Sequence, residues 1–256
     1  MKISIIIPCW DDATALLKLV DRLRNVRDTQ WIAVLVNPER SILTGLERRG
    51  VECLSFPRPN RGAQMNRGAK MATGDVLLFH HVDSELKLEH LESLREAMAT
   101  SKVIGGAFYR KFDERHPGLR WAEPAERWRC RHWGALFGDQ SLFVRSETFV
   151  RLGGFADIPL LEDVEFSNRL RQSGSIVLLD PPMRSSPRKH LEEGSWRTTF
   201  RNFTILVLFK LGTPPSDLHR LYYGQCGKDA VLPTEGTQRP TKRSLSCAVI
   251  SPKLGD

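Results

Sequence analysis

Four short apolar runs recur through the first eighty residues, and each is followed by a segment with helical spacing. The runs are Ile3 to Ile7, Ile32 to Val36, the largely apolar Val51 to Phe56, and Val76 to Phe79 within an expected strand over 75–80. Runs this short, bounded by Pro, Gly or charged residues, read as strands buried on both faces, as in a parallel sheet. Between them, Ala13 to Val26 places Leu16, Leu19, Val20 and Leu23 on one helical face, with Asp11 and Asp12 where an N-cap belongs. Ser41 to Arg49 is a short helix closed by Gly50, and Arg61 to Met71 is a helix with Gly74 beyond its end. Leu88 to Ala99 follows, with Leu88, Leu91, Leu94 and Met98 on one face. Strand and helix in strict alternation imply right-handed crossovers, hence an α/β fold with a mostly parallel central sheet flanked by helices. This constrains function as well as fold. Ligands of open α/β sheets bind past the carboxyl ends of the strands, so residues there are the candidates for chemistry.

After residue 100 the rhythm changes. Val103 to Phe108, Gln140 to Arg145 and Ile176 to Leu179 read as further strands, and Leu161 to Ser173 as a helix stopped by Gly174. Residues 120–133 are rich in Trp and Arg and read either as an ordinary amphipathic helix or as a lid whose aromatic rings stack on a ligand. Trp196 to Leu211 is a long helix ended by Pro214 and Pro215, and a short helix runs on to Tyr223. Its stripe of Trp196, Phe200, Phe203, Val207 and Leu211 reads first as core packing. The second reading is an interfacial helix on anionic lipid, since Arg197, Arg201 and Lys210 are interleaved. Residues 1–223 form one expected domain, its first hundred residues the nucleotide-binding half. Residues 224–256, rich in Gly, Pro, Thr, Ser and Lys without periodicity, are expected to be a disordered tail.

The chain carries a net charge of +8, which suits anionic partners such as nucleotides, phosphorylated lipids or a membrane surface. No nucleic-acid motif accompanies that charge, so no nucleic-acid partner is expected. The five cysteines are scattered without a Cys-x-x-Cys pair, which excludes a zinc ribbon and points to a reducing compartment. The first apolar run is too short for a signal peptide, so a cytoplasmic location is expected, at most against the inner face of the plasma membrane.

Four segments carry candidate chemistry. The fourth strand ends abruptly in His80-His81-Val82-Asp83, where a carboxylate beside imidazoles can hold a divalent cation against a phosphate-bearing substrate. Pro8-Cys9-Trp10-Asp11-Asp12 lies at the tip of strand one, on the same sheet edge. In Asn60-Arg61-Gly62-Ala63-Gln64-Met65-Asn66, Gly62 opens a helix start where free N–H groups favour phosphate. Arg61 can pair with that phosphate, while Gln64 or Asn66 can bond a base or ribose. Pro159-Leu-Leu-Glu162-Asp163-Val-Glu165 sets two adjacent carboxylates among apolar neighbours, where partial burial raises a carboxyl toward general-base duty. Each segment alone also fits a bland role as a helix cap or dipole partner. Just upstream, Gly138-Asp139-Gln140-Ser141 opens a strand able to bring polar groups to the same cleft.

Taken in order, these segments resemble glycosyltransferase family two, with its GT-A (Rossmann-like) fold, over residues 3–223. They are most similar to a bacterial branch with a His-x-Asp variant of the Asp-x-Asp metal motif. The resemblance implies inverting, metal-assisted transfer of a sugar from a nucleotide-diphosphate sugar to a hydroxyl acceptor. It implies Mg²⁺ or Mn²⁺ held by Asp83 and His81, with His190 a further candidate ligand. It implies Asp163 as general base within a Glu162-Asp163 pair. It also implies a donor pocket lined by Pro8, Asp12, Asn37, Arg61, Gln64, Asn66, His81 and Gln140. Two positions depart from the family pattern: Asn37 stands where an Asp is usual, and Asp12 where Glu is usual. The expected partners are the donor and an unidentified acceptor, which a lipid-linked hydroxyl would fit. The competing readings are a sugar nucleotidyltransferase, disfavoured by the absence of a Gly-rich loop after strand one, and a non-catalytic nucleotide- or membrane-binding relative.

Overall fold

The computed structural model describes residues 1–112, 136–185 and 195–223. In chain order the elements are β1 (Ile3–Cys9), α1 (Ala13–Leu23), β2 (Thr29–Val36), α2 (Arg40–Glu47), β3 (Val51–Phe56), α3 (Arg61–Ala69), β4 (Val76–Phe79), β5 (Ser84–Glu85), α4 (Leu88–Met98) and β6 (Val103–Phe112). A 3₁₀ turn (Gly138–Gln140) leads to β7 (Phe143–Arg145), α5 (Ser146–Arg151), α6 (Glu162–Ser173), β8 (Ser175–Ser185), α7 (Ser195–Lys210) and α8 (Pro215–Tyr223). The strands make one eight-stranded sheet in the order β3-β2-β1-β4-β7-β6-β8-β5.

The sheet is mixed. β3, β2, β1 and β4 run parallel, as the alternation predicts, and β6 pairs parallel with β8. β7 is antiparallel to both β4 and β6, and β5 is antiparallel to β8. This reversal has a use. An antiparallel strand begins where its neighbours end, so the turn before β7 lies at the carboxyl edge of the sheet. The Phe79 N–H donates to the Leu142 carbonyl at 2.8 Å and locks that junction.

Strand one does not stop at Pro8. It continues to Cys9, with Pro8 in register opposite Val34 of β2. The pairing with β4 covers only Ile3 to Ile6, so at Pro8 one side of β1 has no neighbour that needs an N–H. Every residue of β1 is buried, as a central strand requires. One face packs Ile3, Ile5 and Ile7 against Leu16, Leu19 and Val20 of α1 and Leu91 and Leu94 of α4. The other packs Ile6, Ile32 and Val34 against Met65 of α3 and the rings of Phe149, Phe155 and Phe166.

A third cluster joins α7 and α8 to α6 through Leu161, Val164, Ile205, Leu206 and Leu218. Here the structure corrects the reading of α7. Its stripe of Phe200, Phe203 and Leu211 is not core: these side chains are exposed, and the buried side of the helix is the one carrying Ile205 and Leu206. Residues 205–209 are apolar without a break, so periodicity alone does not choose the inner face of that half of the helix. Residues 120–133, residues 224–256 and His190 lie outside the described residues.

Candidate functional site

The carboxyl edge gathers side chains from α3, the end of β4, the turn before β7 and the start of α6. Asn60 caps α3, its Oδ1 accepting the Ala63 N–H at 2.9 Å. That sets Arg61 as the first helical residue, half-buried, with its side chain on the start of α6. The Arg61 Nε donates to Glu162 Oε1, and its Nη2 donates to Asp163 Oδ2 at 2.7 Å. Gly62 admits this close approach between helices, since a Cβ there would lie 3.1 Å from Glu162 Cγ. The sequence reading gave Gly62 to a ligand; its close neighbours are the Glu162 side chain and the Ala156 carbonyl.

The start of α6 is shaped by Leu161, whose φ of 65° is left-handed and unusual for a bulky residue. The bend places Glu162 and Asp163 in the first turn, both buried. Asp163 is enclosed by donors. Its Oδ1 accepts its neighbour Val164's N–H at 2.7 Å, and its Oδ2 accepts the Gly138 N–H at 2.6 Å besides Arg61. Burial pushes the Asp163 carboxyl above the ordinary carboxylate range, while Arg61 and the two N–H groups pull it back. Burial works against the Arg61 charge too, but Glu162 and Asp163 more than offset it and the guanidinium is held protonated.

His81 completes the cluster. A Cβ at Gly138 would lie 2.8 Å from His81 Nε2 and 3.1 Å from Arg61 Nη1, so imidazole and guanidinium meet over this glycine. Among the described residues, His81 Nε2 is buried with no hydrogen-bond partner. Burial and the nearby Arg61 keep the ring neutral, its pKa lowered. Asp83 is exposed, with Oδ1 3.4 Å from Ser84 Oγ. Ser84 Oγ also donates to the Asp139 carbonyl at 3.3 Å, tying the start of β5 to the turn before β7. Behind it, buried His80 Nδ1 meets Ser141 Oγ at 2.7 Å, and burial pushes this imidazole down to about 3.

Three expected pocket residues are placed otherwise. Gln64 is buried, donating to the Val34 carbonyl at 2.8 Å and accepting the Asn60 N–H at 3.3 Å. Asn66 grips the Phe155 backbone, donating to its carbonyl at 2.8 Å and accepting its N–H at 2.9 Å. Gln140 is fully buried, accepting the Phe137 N–H at 2.8 Å and donating to the Phe108 carbonyl at 3.3 Å. All three amides are engaged inside the fold because α3 and the turn before β7 need their backbone neighbours satisfied. Pro8 is buried in β1, whereas Asp12 and Asn37 are exposed just past β1 and β2, Asn37 with a left-handed φ of 44°. They share the sheet edge with Arg61, but among the described residues no hydrogen bond or ion pair joins them to Arg61, His81 or Asp163.

Asp139 is the residue that sequence reasoning passed over for its neighbour Gln140. It pairs with Arg110 of β6 and adds negative charge beside His81 and Arg61. Its signal was a carboxylate in the quoted Gly138-to-Ser141 segment.

A divalent cation suits part of this set. Among the described residues His81 Nε2 is a buried nitrogen lacking a partner, and Asp83 is an exposed carboxylate two residues on. Among the described residues no three His, Cys, Asp or Glu side chains converge as a closed cage. Mg²⁺ is commonly held by one or two carboxylates together with substrate phosphates and water, which is what Asp83 offers.

The chain as a whole is similar to known proteins. Among solved structures the chain is similar to TarS residues 1–349 of S. aureus, at 14% identity and a TM-score of 0.58, covering 87% of this chain and 70% of that one. The complex of the same protein with UDP-GlcNAc matches at 12% identity and a TM-score of 0.57, over 87% and 71% of the two chains. Glucosyl-3-phosphoglycerate synthase from Mycobacterium tuberculosis, in complex with Mn²⁺, UDP and glucosyl-3-phosphoglycerate, matches at 16% identity and a TM-score of 0.52, over 72% and 70%. At such identities these likenesses speak for the fold. No curated protein matches the chain. The model of glycosyl transferase family 2 matches residues 4–146, more than half of the 256 and the part that holds Arg61, His81, Asp83 and Gly138. With a GT-A sheet beneath that edge, the chain belongs to glycosyl transferase family 2 and is a glycosyltransferase.

Proposed function

We propose that the chain moves a sugar from a nucleotide-diphosphate sugar to an acceptor hydroxyl with inversion at the anomeric carbon, Asp163 acting as general base. The observation that carries this reading is the Asp163 carboxyl, buried at the start of α6 and oriented by Arg61 and the Gly138 N–H. A base works best when its pKa lies near the working pH, and burial moves Asp163 in that direction. As the acceptor oxygen attacks the anomeric carbon, its proton passes to Asp163 and the bond from that carbon to the diphosphate oxygen breaks. Arg61 Nη1, turned toward His81 and Gly138, is placed to pair with the departing diphosphate while Nε and Nη2 keep hold of the two carboxylates. Neutral His81 offers the same diphosphate an N–H, or offers the cation a nitrogen. Asp83 would hold Mg²⁺ or Mn²⁺, and that ion would supply positive charge against the leaving diphosphate. An imidazole ligand would favour Mn²⁺. Glu162 keeps Arg61 aimed. A similar protein was crystallised with Mn²⁺ and UDP, which supports a uridine nucleotide as the first donor to try. The acceptor brings a hydroxyl, and the apolar outer face of α7 suits one linked to lipid.

The test is a thermal-shift screen of nucleoside diphosphates and their sugars, with and without Mn²⁺, on the native chain, Asp83→Ala and Asp163→Asn. Metal-dependent stabilisation by one diphosphate, lost in Asp83→Ala and kept in Asp163→Asn, supports the assignment. Stabilisation by none of them, or transfer persisting in Asp163→Asn, overturns it.

A further inference from the structure

The outward side of α7 is apolar. Phe200 is 72% exposed, Phe203 51% and Leu211 78%. Positions 200, 203, 207 and 211 recur at helical spacing, so these side chains and Val207 form one stripe along the helix. The opposite side is already satisfied, since Ile205 and Leu206 pack on Leu161, Val164 and Leu218. Neighbouring α8 adds Leu221 and Tyr223, also exposed. A contiguous apolar surface of this kind marks a docking site more often than it marks idle surface.

Charge identifies the occupant. Between residues 195 and 223 the chain carries Arg197, Arg201, Lys210 and Arg220 against Asp217, which pairs with Arg220 at 3.6 Å. Arg201 stacks on Tyr222 with its guanidinium 4.5 Å from the ring centroid, and Lys210 is exposed beside Leu211. A second copy docking through the same surface would set like charge against like charge. A bilayer with anionic headgroups answers both features, taking up the apolar stripe and matching the net positive charge of the segment. Among the described residues no helix is long and apolar enough to cross a membrane, so α7 would lie flat in the interface.

We propose that the exposed face of α7 docks on an anionic lipid surface and holds the Asp163 edge beside it. The link to the site is direct: α7 and α8 pack on Leu161 and Val164, the residues on either side of the Glu162-Asp163 pair. A lipid-borne acceptor follows if the transfer reading above is right; the docking itself rests on α7 alone.

The test is co-sedimentation of the full chain with vesicles of phosphatidylcholine alone and of phosphatidylcholine with about 30 mol% phosphatidylglycerol, at low and high salt. The expected result is binding to the anionic vesicles about tenfold tighter than to the neutral ones, weakened by salt. The double variant Phe200→Ser, Leu211→Ser should lose about tenfold in vesicle binding. Its melting temperature and its response to a diphosphate should be unchanged, because both side chains are already in water. Absence of binding to anionic vesicles overturns the proposal. So does binding unchanged in the double variant, which would make it charge alone. So does a native chain that is dimeric in solution and monomeric in the variant, which would give the face to a second copy. Vesicle binding without stabilisation by any diphosphate would leave the docking in place and remove the transfer reading.

Discussion

Arg61 bridges two carboxylates that are themselves buried, and this sets what its removal does. Glu162 and Asp163 side chains are each 5% exposed, whereas Arg61 is 38% exposed. Arg61→Ala would leave two buried carboxyls without their cation. The expected loss is about 2 kcal/mol, between the values for buried and exposed pairs. Urea denaturation measures it, and a midpoint equal to the native one would contradict the pairing. Gly138→Ala probes the same cluster from the other side. Its Cβ would crowd His81 Nε2 and Arg61 Nη1, both ends of side chains that can shift, so the fold should survive while diphosphate stabilisation weakens. Full diphosphate response in Gly138→Ala would show that neither side chain needs its present place.

Elements place these residues through their ends. The left-handed Leu161 starts α6, and the hydrophobic cluster behind it supports that start. Leu206→Ala on α7 should therefore cost about 2–4 kcal/mol, the usual range for a buried leucine, and should lower turnover more than donor affinity because it loosens the seat of Asp163. Turnover unchanged at saturating donor would separate α7 from the site. The start of α4 has its own titratable support. Buried His90 accepts the Lys87 N–H on Nδ1 at 3.0 Å, and burial lowers its pKa. A buried neutral imidazole gains its proton on unfolding. Below about pH 6.5 the unfolded chain binds more protons, and stability falls with pH by up to about 1.4 kcal/mol per unit for each such group. His80, held at about 3, acts in the same direction. Asp163 acts oppositely, since a raised carboxyl pKa gives stability that is lost as pH rises through it. Melting temperature should fall from pH 7 to pH 5, and less steeply in His90→Asn; identical slopes would remove His90 from the account.

For the whole molecule, the one sheet brings two sets of side chains to a single edge. The parallel strands β3-β2-β1-β4 carry Asp12, Asn37, Arg61, His81 and Asp83, or lead into them. The reversed β7 and the helix α6 bring Gly138, Asp139 and Asp163 to meet them. Residues 1–223 should suffice for donor binding. A chain ending at Tyr223 is expected to keep its melting temperature within about 4 °C, a shift of under about 1 kcal/mol, together with its response to diphosphate. Loss of either would give residues 224–256 a part in the fold.

Strand and helix periods, and the strand-end position of His81-Val82-Asp83, were legible in the sequence because each depends on neighbours within a few residues. The places of Arg61, Asp83 and Asp163 at the ends of elements were legible for the same reason: each sits beside its own local strand or helix signal. Local sequence could not say which amides would be satisfied by distant backbone. Gln64, Asn66 and Gln140 look like ligand groups until Val34, Phe155 and Phe108 are placed against them. It could not give the direction of β7, which depends on where the chain returns to the sheet. Nor could it orient α7, because the unbroken apolar run of residues 205–209 has no preferred inner face until α6 and α8 cover one side. Short-range periodicity determined the elements, and only tertiary packing decided which polar groups stayed available and which apolar face stayed in water.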